Sequence, residues 1–118
     1  MKSVLFPTDF SSNAEIALEF AVEMALRLDS RLVIFHSFHS FYAGPHVIPV
    51  SENQMRAEDL AKLLAVEEIA KKMGGGRELE IVVESRPGLA ADAVVAYADE
   101  LMAELVVMGT KGATGLDA

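Results

Sequence analysis

The chain has 118 residues, of which 52% are apolar, and a net charge of −8 from 18 acidic and 10 basic residues. This length suits a single domain over residues 1–118, and the scattered basic residues argue against nucleic acid as a partner, because that binding needs a basic patch. The sequence has no cysteine and no apolar run of membrane-spanning length, which favours a cytoplasmic protein without membrane contact.

The first part of the chain predicts a strand, a helix and a second strand. Ser3 to Phe6 is a short continuous apolar run, typical of a strand that is covered on both faces. Ser12-Asn13-Ala14-Glu15 has the spacing of a capping box, so we expect a helix to begin there and to end near Leu28 to Ser30. Arg31 to Ser37 then has the apolar content of a second strand. The apolar stripe predicted for the helix contains Ala17, Phe20, Ala21, Met24, Ala25 and Leu28.

Phe38 to Val50 is the least regular segment, with a glycine, two prolines and several aromatic residues. It is predicted to be a loop. A lid over a ligand, a contact with a partner and a loop whose aromatic residues pack on the nearest helix are three open interpretations of it.

The second half of the chain predicts two more helices and two more strands. Ser51-Glu52-Asn53-Gln54 repeats the capping-box spacing and opens a long helix, which Gly74-Gly75-Gly76 is expected to end. Leu79 to Glu84 predicts the third strand, Arg86-Pro87-Gly88 a turn, and Leu105 to Met108 the fourth strand. The apolar positions of the long helix are Leu60, Leu63, Leu64, Ile69, Ala70 and Met73. Those of the last helix are Ala90, Val94, Tyr97, Ala98 and Leu101.

This alternation of strands and helices predicts an α/β fold with an open, doubly wound parallel sheet. In such sheets ligands bind beyond the carboxyl ends of the strands, where the strand order reverses. If the first strand is central and the fourth lies beside it, Pro7, Asp9 and the loop Gly109 to Gly115 meet in one cleft.

The loop after the fourth strand, Gly109 to Gly115, has the composition of an anion-binding turn. Its glycines allow a close backbone approach, and free N–H groups in such a turn attract phosphate oxygens. A flexible turn after a strand remains an alternative for the loop, and a helix cap remains one for Asp9.

The spacing of His36, His39 and His46 implies no metal geometry, so a hydrogen-bonded or solvent-facing histidine is the preferred interpretation. No Ser-His-Asp set and no paired carboxylates are visible in the sequence, so we expect no enzyme and no metal site.

Three stretches resemble the universal stress protein family over nearly the whole chain. They are Pro7-Thr8-Asp9-Phe10-Ser11, Ser85 to Gly88, and Val106-Val107-Met108-Gly109-Thr110-Lys111-Gly112. The resemblance implies a Rossmann-like fold of the adenine nucleotide alpha hydrolase-like class, with strand order 3-2-1-4 and a fifth strand missing. It also implies ATP binding, with Mg²⁺ as a companion ion, and a homodimer or other self-association.

The resemblance also implies the site residues and the function. The nucleotide-binding residues are expected to be Pro7, Thr8, Asp9, Ser37, Met108, Gly109 and Gly112. Asp9 would hold the adenosine end, Ser37 would meet adenine through its backbone, and Met108 and Gly109 would lie under the ribose and first phosphate. The second glycine pair of the family's motif would fall beyond Ala118, so we expect an incomplete domain whose last strand is covered by a second subunit, or a piece of a longer protein.

The function implied is a regulatory module of the stress response that acts by binding ATP. A ligand-free interaction or dimerisation module of the same fold is the alternative. A third candidate, an adenylate-forming or phosphotransfer enzyme, lacks a catalytic set.

Overall fold

A computed structural model describes residues 2–38 and 51–109. Strands and helices alternate along these residues, as the sequence predicts. The elements are β1 (Ser3–Pro7), α1 (Ser12–Arg27), β2 (Arg31–Phe38), α2 (Glu52–Gly74), β3 (Ile81–Pro87), α3 (Ala90–Leu101) and β4 (Leu105–Val106).

The strands form one parallel sheet in the order β3-β2-β1-β4, which confirms the predicted order and fold class. The β2–β3 pairing is long, running from Leu32 opposite Ile81 to Phe38 opposite Pro87. The β1–β4 pairing is short, with Val4 opposite Leu105 and its neighbour opposite Val106. The strand order therefore reverses beside β1, the place where open sheets of this type form a ligand cleft.

Helices cover both faces of the sheet, because successive strand side chains point to opposite sides. Phe6 and Ile34 pack in a core with α1 and α2, whereas Leu5 and Phe35 pack with Tyr97 of α3 on the other face. Burial on both faces explains the continuous apolar runs in β1 and β2. No helix within the described residues has the length and hydropathy needed to cross a bilayer.

The ends of α1 and α2 follow their capping residues. Helix α1 begins at Ser12 as predicted, but its N-cap is Ser11, whose Oγ accepts a hydrogen bond from Ala14 N at 3.3 Å, so the capping serine lies one residue earlier than the predicted capping box. The predicted start of α2 is confirmed, because Ser51 Oγ accepts from Gln54 N at 3.1 Å. Gly75 ends α2 in the left-handed conformation with φ 62°, as predicted for the glycine run.

The predicted apolar stripes of α1 and α2 were partly wrong. Phe20 is 57% exposed, and Leu64 is exposed as well. Apolar residues occur on more than one side of α1, so spacing alone could not select the buried face. The residues of α1 that are buried are Ala14, Leu18, Ala21, Val22 and Ala25.

Strand bounds also differ from the predictions. The third strand begins at Ile81 and continues to Pro87, so most of the predicted Ser85 to Gly88 turn is strand and Gly88, with φ 138°, makes the turn. The fourth strand is Leu105–Val106, shorter than predicted. Phe38 belongs to β2, and the rest of the predicted 38–50 loop lies outside the described residues.

Candidate functional site

A cleft of about 340 Å³ lies at the carboxyl ends of the strands, beside the reversal of strand order. It contains residues from both ends of the chain. Its lining consists of Pro7, Thr8, Asp9, Phe35, His36, Ser37, Ala90, Ala91, Val94, Met108 and Gly109. Six of the predicted site residues are among them, and Gly112 lies outside the described residues. The structure thus brings these six together, while their role in binding stays a prediction.

The chain leaves β1 through a tight turn that presents Asp9. Thr8 N donates to the Phe35 carbonyl at 2.8 Å, and Thr8 Oγ1 accepts from Phe10 N at 3.0 Å. Asp9 Oδ1 accepts from Ser11 N at 2.9 Å, so the exposed carboxylate is fixed just before the N-cap and is not itself the cap of α1. A carboxylate can accept several hydrogen bonds at once, so this structural role is compatible with ligand binding.

One wall of the cleft is apolar. Phe35 of β2 faces the first turns of α3, where Ala90 and Val94 lie. A flat aromatic ligand group suits such a wall, since binding pockets are predominantly apolar with a few polar anchors. Sequence reasoning missed these wall residues, although the start of a helix after the third strand was a usable signal. Ser37 is buried within β2 rather than after it, opposite Arg86.

Gly109 is required by packing against α1. A Cβ atom at this position would lie 2.9 Å from the Asn13 carbonyl oxygen and 3.0 Å from Ala14 Cα. Both are backbone atoms, so they cannot move aside like the end of a flexible side chain. The turn after β4 therefore rests on the first turn of α1, which gives Gly109 a steric role that the sequence did not indicate.

Behind the cleft, a buried carboxylate joins three elements. Asp59 of α2 is 6% exposed, and its Oδ1 lies 2.6 Å from His36 Nδ1 on β2. Its Oδ2 accepts from Ser85 Oγ on β3 at 2.6 Å. The interpretation of His36 as a hydrogen-bonded histidine is therefore confirmed, whereas His39 and His46 lie outside the described residues.

This cluster of serine, aspartate and histidine has the wrong order for a catalytic triad. A serine nucleophile needs the histidine as its immediate neighbour, with the carboxylate behind the imidazole. Here Asp59 lies between Ser85 and His36, so the serine has no imidazole beside it. The arrangement holds α2 to the ends of β2 and β3.

Phe10 connects the buried cluster to the cleft. It has φ 64°, and its ring centroid lies 4.6 Å from that of His36 and 5.6 Å from Lys62 Nζ. A second cavity of about 260 Å³ opens on this side, between α1 and α2, and Thr8 lines both cavities. The turn after β1 thus separates the cleft at the carboxyl ends of the strands from the cavity between α1 and α2.

An ionic cluster supports the apolar wall from outside. The Arg86 guanidinium donates to both carboxylate oxygens of Glu100, at 3.0 and 2.7 Å, and lies 4.2 Å from the Tyr97 ring centroid. Tyr97 in turn packs on Phe35, with ring centroids 4.9 Å apart. The hydrogen bonds from Arg86 lower the pKa of Glu100 and raise that of Arg86 itself, while burial raises the pKa of Tyr97.

Comparison with known proteins gives consistent matches. Universal stress protein MJ0531 of Methanocaldococcus jannaschii is 29% identical over 119 residues, covering 98% of this chain and 68% of that protein. A solved universal stress protein in complex with cAMP aligns with a TM-score of 0.70 at 23% identity, covering 90% of this chain and 74% of the other.

A second solved structure, the universal stress protein from Archaeoglobus fulgidus in complex with dAMP, aligns with a TM-score of 0.71 at 22% identity. The alignment covers 92% of this chain and 80% of that one, and at this identity it shows a shared fold. The model of the universal stress protein family matches residues 1–118. The chain therefore belongs to the universal stress protein family.

Proposed function

We propose that this chain is a regulatory module that binds an adenine nucleotide, with ATP as the ligand in the cell. The observation that carries the proposal is the cleft itself, in which Asp9 from the start of the chain and Gly109 from its far end line one space of about 340 Å³. The cAMP and dAMP of the two related structures are both adenine nucleotides, which supports the same ligand class here.

The chemistry of the lining suggests how the nucleotide lies. Adenine would pack on Ala90 and Val94 and meet the backbone of Ser37, while the Asp9 carboxylate accepts from a ribose hydroxyl or the adenine amino group. Pro7 and Met108 would enclose the ribose.

The phosphates would lie toward Gly109, close to the first turn of α1. There the positive end of the helix dipole favours an anion, and Gly112 would extend this contact. Mg²⁺ would arrive with the phosphates, its usual ligands. Within residues 2–38 and 51–109 there is no group of three His, Cys, Asp or Glu that could hold a metal ion by itself.

Calorimetry with an amide substitution tests the proposal. Asp9→Asn keeps an oxygen that can accept from Ser11 N but removes the charge, so the turn survives while ligand contacts weaken. We expect ATP and AMP to bind the unsubstituted protein and Asp9→Asn to bind about tenfold more weakly, or about 1.4 kcal/mol. Asp99→Asn, an exposed carboxylate on α3, is the matched control and should bind normally. Absence of heat with millimolar ATP, or equal affinity of Asp9→Asn, would contradict the proposal.

Self-association is the second candidate function, favoured by exposed apolar side chains on α3, at its C-cap and on β4. Met102 is 84% exposed, and Val95 and Val106 are exposed as well. We propose that nucleotide occupancy changes this association or a partner contact instead of feeding a reaction. Sedimentation velocity with and without ATP should show a changed distribution, and phosphate release should stay at background. A ligand-free interaction module would sediment identically in both.

A further inference from the structure

The Asp9 turn is strained. Phe10 has a bulky side chain at φ 64°, a region that residues with a Cβ atom rarely adopt. Such a conformation costs free energy and persists only when surrounding contacts hold it. Two local hydrogen bonds contribute, one to Thr8 Oγ1 and one to Asp9 Oδ1. They belong to the turn itself, so they would move with it if it relaxed.

The remaining contacts of the Phe10 ring come from outside the turn, and they include packing against the apolar core between the sheet, α1 and α2. The imidazole of His36 lies against the ring with centroids 4.6 Å apart and planes inclined by 47°, and Lys62 Nζ lies 5.6 Å from its centroid. His36 itself is fixed by Asp59 Oδ1 at 2.6 Å, and the other oxygen of Asp59 is fixed by Ser85 Oγ. A buried carboxylate is costly without its partners, so Asp59 holds the imidazole in one orientation.

We infer that Asp59 is a positioning residue of the cleft. It fixes His36, His36 supports the left-handed Phe10, and Phe10 holds the neighbouring Asp9 where the ligand needs it. Asp59 is not among the residues that line the cleft, so it acts without touching the ligand. The ligand part of this inference rests on the proposed adenine-nucleotide function. The structural part, from Asp59 to the turn, stands without it.

The first experiment uses the ligand-free protein. In proton–nitrogen correlation spectra, Asp59→Asn is expected to shift the amide signals of Phe10 and Ser11, which donate to Thr8 and Asp9 in the turn. Val33→Ala, a buried apolar change in the core on the opposite face of the sheet, is the control for general destabilisation and should leave both signals in place. Unshifted Phe10 and Ser11 signals in Asp59→Asn would overturn the inference, whatever the protein binds.

The second experiment is a double-mutant cycle on ATP affinity. Asp59→Asn is expected to weaken binding about fivefold in the otherwise unsubstituted protein and to have almost no effect when Asp9→Asn is already present, because coupled residues are not additive. An equal loss in both backgrounds would assign Asp59 a merely structural role and overturn the inference.

A milder variant covers the case in which Asp59→Asn does not fold. Ser85→Ala removes only the hydrogen bond from Ser85 Oγ to Asp59 Oδ2. It should shift the same amide signals by a smaller amount and should also be non-additive with Asp9→Asn in ATP affinity. Additive effects of Ser85→Ala and Asp9→Asn would count equally against the inference. If the unsubstituted protein binds no adenine nucleotide, the proposed function fails, and the amide signals still decide whether Asp59 positions the turn.

Discussion

The two sides of the turn after β1 are built in different ways. On the α3 side the cleft is lined mostly by small and apolar residues, with the Asp9 carboxylate and His36 among them, and the described part of its lining contains no lysine or arginine. On the α2 side a buried carboxylate and an imidazole support the turn, with Lys62 above Phe10. The cleft side follows from residues at strand ends, whereas the supporting side needs partners 23 and 26 positions apart in sequence. A cleft of simple composition can thus depend on polar contacts hidden behind it.

Removing the buried carboxylate should have the largest effect. Asp59→Ala leaves His36 and Ser85 without their shared acceptor, so we expect the free energy of unfolding to fall by about 2–4 kcal/mol. Urea denaturation would measure this. Glu58→Ala, at the exposed neighbouring position, is the control and should stay within about 0.5 kcal/mol. Similar losses in both variants would contradict the structural role assigned to the buried Asp59 on the supporting side.

The cleft side is best tested at Gly109. An added methyl group in Gly109→Ala meets backbone atoms of Asn13 and Ala14, so we expect a loss of about 1–3 kcal/mol together with weaker ATP binding. Gly74→Ala is the same chemical change at a helical position where a Cβ atom meets nothing within 4 Å. It should stabilise the protein by up to about 1 kcal/mol. We therefore expect the two substitutions to change the free energy of unfolding in opposite directions. A stabilising effect of Gly109→Ala would contradict the packing described.

The apolar wall should show an alkaline response. Burial raises the pKa of Tyr97 above its ordinary 10.0, so the folded protein holds the phenolic proton more tightly than the unfolded chain does. The resulting stabilisation is complete below pH 10.0 and is lost as the pH rises through the folded pKa. Urea denaturation at several pH values between about pH 9 and 11 would measure this. The free energy of unfolding should fall more steeply with pH for the unsubstituted protein than for Tyr97→Phe, which keeps a ring against Phe35. The same pH dependence of the free energy of unfolding in both proteins would count against a buried, neutral phenol.

The ionic cluster outside the wall should give the smallest effect. Hydrogen bonds from Arg86 lower the pKa of Glu100 below its ordinary 4.5, so its stabilisation is present above that pH and is lost as the pH falls through the folded pKa. Because Glu100 is 55% exposed, solvent screens the pair. Glu100→Gln should lower the melting temperature slightly at pH 7 and not at pH 3, while Glu19→Gln should show no such difference. A larger drop in melting temperature at pH 3 than at pH 7 would contradict the stabilising role assigned to the charged Glu100.

Much of the fold could be predicted from the sequence because periodicity and capping are local. The apolar runs at Ser3 and Leu32, the serine cap at Ser51 and the glycine at position 75 act within a few residues of themselves. The strand order was implied by the resemblance to the universal stress protein family, and the meeting of Asp9 with Gly109 then followed from the rule that ligand clefts form where the strand order of a parallel sheet reverses.

The supporting side could not be predicted in the same way. Asp59 lies in a helix with many charged residues, where a carboxylate is normally solvated. Its burial is possible because hydrogen bonds with His36 on β2 and Ser85 on β3 offset the free-energy cost of removing the carboxylate from water. The left-handed Phe10 has no local signal either, since phenylalanine is not a residue that favours such a conformation. The steric role of Gly109 depends on α1, almost a whole chain length away.

The shortness of β4 has a consequence for access to the site. Only Leu105 and Val106 are paired with β1, extended by hydrogen bonds from Glu104 N to the Ser3 carbonyl at 2.8 Å and from Val107 N to the Leu5 carbonyl at 2.9 Å. A ladder of this length can detach by local opening while β1, β2 and β3 keep their hydrogen bonds, so its amide protons should exchange with solvent ahead of theirs. Such local opening would move Met108 and Gly109, which line the cleft, away from it without global unfolding.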